Sequence, residues 1–181
     1  MDPQDTTESL LLPEQGAQVP TLFRILAVCL GTAVALYAGG ALLLLPLGGA
    51  FAAGFIYKKA IPSRRSFIPT AAVVTGHIVW MTIGGLLSGN AGASVADVAV
   101  LSILTVWLLA RPGLPAVMVM SCAAALPVVS CAGQLSSGEW GTSTHKALVL
   151  HLSLHACTLF FVVIGYFDHR GETKNAMKIP N

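Results

Sequence analysis

Long apolar runs separated by short polar clusters organise most of this chain. Four runs are bounded on both sides, at residues 66–87, 94–110, 115–135 and 146–167. Their limits are charges, prolines and turn-forming stretches such as Gly89-Asn90-Ala91-Gly92 and Arg111-Pro112-Gly113. A hydrocarbon layer about 30 Å thick takes roughly 17–25 helical residues to cross. Each run therefore predicts a membrane helix. Pro69 and Pro115 fall in the first turns of their helices, where a missing N–H breaks no intrahelical bond.

The stretch 21–57 is too long for one span, since a single helix would extend about 55 Å at 1.5 Å per residue. Gly39-Gly40 offers a break, leaving spans at 21–38 and 41–57. Ala27, Gly31, Ala35 and Gly39 make a stripe of small residues on the first piece. Gly49 with Ala53, and Ala50 with Gly54, do the same on the second. Small residues at this spacing let helix backbones approach closely in lipid, which predicts a packed hairpin. The expected fold is all-α, a polytopic transmembrane bundle of six spans over residues 21–167. The alternative is five spans plus a re-entrant segment at 42–57.

Composition strengthens the membrane reading. Hydrophobic residues make up 55% of the chain and charged residues only 10%, against about a quarter charged in ordinary soluble domains. From residue 21 to 167 the strongly charged side chains are Arg24, Lys58, Lys59, Arg64, Arg65, Asp97, Arg111, Glu139 and Lys146. Residues 1–20 are acidic, proline-containing and without a basic residue, so they predict a disordered tail and not a signal peptide. Residues 168–181 predict a loose polar tail. Lys58, Lys59, Arg64 and Arg65 crowd one loop, which by the positive-inside rule faces the cytoplasm. Counting spans onward puts Gly89–Gly92 outside, Arg111 inside, the Trp140 loop outside, and both termini in the cytoplasm. Lys146 alone runs against the trend. The short loops and the lack of a signal peptide suggest a plasma membrane, by default a bacterial inner membrane.

Few residues offer chemistry. His77 lies in the third span, and His151 and His155 in the last. Counted from opposite surfaces, His77 and His155 sit about 16 Å and 15 Å deep, near the midplane. His151 and His155 are four apart and share a helical face. Asp97 is the sole acid within a marked span, close to its outer end. Ionisable groups at membrane depth tend to face the bundle interior or a wet cavity. Structural hydrogen bonding to Thr75, Thr82, Ser153, Thr158 or backbone carbonyls is one explanation of the imidazoles. A ligand-binding or proton-linked site formed by His77, His151, His155 and Asp97 is a second. Haem b or metal ligation by His77 with His155 or His151 is a third.

Pro46 and Pro127 interrupt the second and fifth spans, matching positions in two three-helix halves of opposite orientation. Broken helices placed this way point to a transporter-type site, with backbone carbonyls opened toward a cavity. Cys29, Cys122, Cys131 and Cys157 lie in apolar runs without a C-x-x-C, which predicts packed, unreactive thiols. No P-loop, dinucleotide-binding glycine pattern, nucleophile elbow or H-E-x-x-H occurs, so no catalytic class is expected. No basic and aromatic pattern suggests nucleic acid. The expected function is a small transport- or ligand-binding-type membrane protein without a cofactor. A b-type haem or metal redox protein, or a non-catalytic assembly or interaction protein, are the alternatives. The expected partners are the lipid bilayer and other membrane subunits.

Overall fold

A computed structural model describes residues 44–176 apart from 88, 90 and 139. The acidic N-terminal segment, the 21–38 span, its small-residue stripe and the Gly39-Gly40 break lie outside the described residues. Among the described residues the chain is helical, with no strand. The elements are α1 (Leu44–Ala60), a 3-10 turn (Pro62–Phe67), α2 (Ile68–Leu87), α3 (Ala91–Ala110), α4 (Leu114–Ser137) and α5 (Ser143–Ala176).

Three stretches are long and apolar enough to cross a membrane: Pro62–Leu87, Leu114–Ser137 and Ser143–Lys174. The apolar part of α3, Ser94–Ala110, is shorter. Many large apolar side chains point outward, among them Phe51, Phe55, Leu126 and Val129, each more than 70% exposed. A soluble monomer seldom tolerates so much uncovered apolar surface. In hydrocarbon it costs nothing, and the fold is that of a membrane protein.

α2 is the central helix, packed against α1, α3 and α5, while α4 bridges α3 and α5. Close approach of backbones explains this arrangement. A Cβ on Gly76 would collide with the Pro46 carbonyl oxygen and stand 2.9 Å from the Ala50 nitrogen. Across the same seam Gly49 faces Gly76 and Val79, and Gly54 faces Ala72. The small residues of α1 therefore serve its contact with α2. The Tyr57 hydroxyl and Thr75 Oγ1, 2.9 Å apart, link the same pair of helices.

α5 runs past the expected end of its span at Phe167 and stays helical to Ala176, so residues 168–176 are not a loose tail. Packing accounts for the extension. Gly165 lets the helix press against the Ser66 carbonyl and the Phe67 ring, and the rings of Phe67 and His169 lie 5.6 Å apart. Ser66 Oγ then donates to Glu172 Oε2 at 3.1 Å. These contacts set the start of α2 beside the end of α5, so the two helices run antiparallel. Between them and α3 and α4 lies a core of Phe67, Val74, Met81, Leu104, Leu108, Met120 and Val162.

Candidate functional site

His77 stands near the middle of α2, and His151 and His155 share one face of α5. The antiparallel packing of these helices brings all three imidazoles together. His77 Nε2 is 3.1 Å from His151 Nδ1, and His151 Nε2 is 3.2 Å from His155 Nε2. His151 is thus a bridge, hydrogen-bonded through both of its ring nitrogens. The ring centroids lie 4.6, 4.7 and 4.7 Å apart, all edge-on. His77 and His155 are buried, at 1% and 4% exposure, and His151 is half-buried.

The hydroxyl groups expected to hold these rings are engaged elsewhere. Thr75 pairs with Tyr57. Thr82, Ser153 and Thr158 each donate to the carbonyl four residues back in their own helix, of Ile78, Val149 and Leu154 respectively. Helix geometry explains this, because a Ser or Thr in a helix reaches its own i−4 carbonyl more easily than a neighbouring helix. The histidines are left to one another. His155 Nδ1 is buried and has no hydrogen-bond partner among the described residues.

Beside the cluster opens a cavity of about 630 Å³ between α2, α3, α4 and α5. Its wall is mostly apolar, with Trp80, Met81, Val100 and Leu148 contributing. A few polar groups converge on it: Asp97 from α3, Ser130 and Gln134 from α4, and Thr144, His151 and His155 from α5. An apolar hollow of a few hundred cubic ångströms with sparse, converging polar groups is the usual form of a small-ligand site. His77 is not part of the wall. It lies behind the other two, and they are its route to the cavity.

Of the residues singled out in the sequence, His77, His151 and His155 meet directly, and Asp97 looks onto the same cavity. Pro127 lines it together with Ala123, the residue whose carbonyl is denied its helical partner by the missing N–H of Pro127. Pro46 does not belong there. Its carbonyl abuts Gly76 in the α1–α2 seam, because close packing of small residues claims that part of the backbone. The cysteines also divide. Cys131 is buried on the cavity wall, whereas Cys122 and Cys157 face outward. A thiol is apolar enough to sit against lipid as comfortably as in a core.

Comparison with known proteins finds no matching family, no matching curated protein and no matching solved structure. The site has to be read from its own geometry.

Trp80 was not anticipated. Its ring lies 5.9 Å from both His77 and His151 and closes the cluster toward the cavity. The available signal was its position three residues after His77, on the same face of α2. Ser130, Gln134 and Thr144 carried no such signal, since isolated Ser, Thr and Gln residues are commonplace in membrane helices.

Proposed function

We propose that this is a small transport- or ligand-binding-type membrane protein with six spans, whose ligand enters the cavity between α2, α3, α4 and α5 and meets His151 and His155. The observation that carries this reading is that His151, His155 and Asp97 line one hollow, with His77 packed directly behind the two histidines. Four separated polar residues in an apolar chain would otherwise each need a local partner. The basic loop at Lys58–Arg65 assigns that end of the bundle to the cytoplasm, and with it the C-terminus. The cavity then sits in the outer half of a plasma membrane, with the histidines at its inner floor.

The haem alternative fits less well. A macrocycle between His77 and His155 would have to occupy the space in which His151 hydrogen-bonds to both. A visible spectrum of the purified protein tests it, and a Soret band would reinstate it.

Water access to the cavity tests the main reading. In a variant without native cysteines, Ser130→Cys should react with a charged methanethiosulfonate applied to membrane vesicles. Val129→Cys, one position along and facing lipid at 72% exposure, should not. Equal inertness of both would mean that the hollow holds no water-borne ligand, and the proposal would fail.

A further inference from the structure

We propose that His77, His151 and His155 together bind one divalent transition-metal cation of the zinc class, which reaches them through the cavity facing Asp97. This rests on the cavity reading above and names the ligand that the site takes.

The donor set comes first. One nitrogen from each imidazole can be chosen so that all three lie within 4.8 Å of one another. A tetrahedral ion with bonds of about 2.0–2.1 Å holds its nitrogens about 3.3 Å apart. The cluster therefore closes on an ion by ring rotation and a contraction of about 1.5 Å at most. Neutral imidazole suits zinc and its neighbours, whereas calcium and magnesium require oxygen. Asp97 is the only carboxylate among the described residues that line the cavity, so a hard-cation cage is not available.

The hydrogen bonding adds a second, independent pointer. Two of the three rings are buried, yet His155 Nδ1 has no partner among the described residues. Buried polar nitrogens are nearly always satisfied, and an exception asks for an occupant. An ion held through His155 Nδ1 would satisfy that atom and organise the cluster.

Charge decides what kind of site this is. Three neutral imidazoles leave both positive charges of the ion in place, and Asp97 opposes one of them across the cavity. Three protein ligands and an open fourth position are what a metal site has where water or another exchangeable ligand binds, in contrast to the closed four-ligand shell of a structural site. The open fourth position leaves room for an exchangeable ligand, and Asp97 is the one carboxylate lining the cavity among the described residues that can offset the remaining charge.

The test uses the full chain in detergent, purified through a tag without histidine. Equilibrium dialysis against Zn²⁺ should find one ion per chain. Co²⁺ in its place should give the intense visible bands of a tetrahedral site. His151→Ala and His155→Ala should each weaken Zn²⁺ binding by more than the roughly 10–100-fold typical of changes one shell out. Asp97→Asn should weaken it less, and His169→Ala, outside the cluster, not at all. The wild-type Co²⁺ spectrum needs no variant to fold, and an octahedral spectrum or no stoichiometric uptake would overturn the metal assignment. If Ser130→Cys nevertheless labels, the ligand-cavity reading stands while the metal falls. If Zn²⁺ binds but Ser130→Cys stays inert, entry through the cavity is wrong.

Discussion

At the scale of single residues, the histidines illustrate how weak hydrogen bonds are as glue in lipid. Side-chain hydrogen bonds between membrane helices are worth about 0.6 kcal/mol on average. His151 makes one of these, to His77 on α2, and a second to His155 within its own helix, so His151→Ala should cost about 1 kcal/mol of stability, visible as a modest drop in the unfolding midpoint in detergent. Outright failure to fold would instead assign the cluster a structural role. Thr70 poses the opposite case, being fully buried with Oγ1 lacking a partner among the described residues. Thr70→Val keeps the shape and removes an unsatisfied hydroxyl, so stability should hold or rise by up to about 1 kcal/mol. A marked loss would reveal an unseen partner for the hydroxyl. The H-x-x-x-H spacing on α5 was legible from sequence, because helical periodicity alone puts those rings on one face. That His151 bridges the other two was not legible, since it depends on the rotation of α2 about its axis.

At the scale of elements, two devices set where the helices sit. The first is the seam at Gly76, where no side chain fits against the Pro46 carbonyl. Gly76→Ala should push α1 away from α2 and cost about 1–3 kcal/mol, as overpacking does. Gly84→Ala, with open space around it, should be neutral or slightly stabilising, and thermal unfolding of the two variants checks the contrast. The second device is Pro127. Restoring an N–H with Pro127→Ala repairs the bond to the Ala123 carbonyl and should straighten α4 over the cavity. Labelling of Ser130→Cys should then slow, and an unchanged rate would show that the proline has no part in shaping the wall. Small-residue spacing predicted that α1 packs closely, with the 21–38 span as its hairpin partner. That span lies outside the described residues, and the seam that Gly49 and Gly54 make among the described ones is with α2.

At the scale of the whole molecule, the outward apolar surface and the position of charge act together. The protein should remain in membranes washed with alkaline carbonate and leave them only in detergent. Release into the aqueous wash as a dispersed monomer would end the membrane reading. Replacing Lys58, Lys59, Arg64 and Arg65 with glutamine should produce molecules of mixed orientation, measured by protease access to the C-terminus. Arg64 Nη2 also donates to the Ala110 carbonyl at 3.4 Å, a long and exposed bond whose loss should matter little to stability.

The sequence by itself determined the helical class and the limits of α2 through α4 within a few residues. Hydrophobic run length and the 1.5 Å helical rise are local quantities that need no knowledge of neighbours. It misjudged the end of α5, where docking on Phe67 and Ser66 carries a polar segment onward as helix, and the place of Pro46. Only the tertiary structure decided that residues 74 positions apart would share a hydrogen bond and that Asp97 would face the same hollow. Those outcomes depend on how helices rotate and lean against one another, which is settled by close glycine contacts and side-chain packing across the bundle.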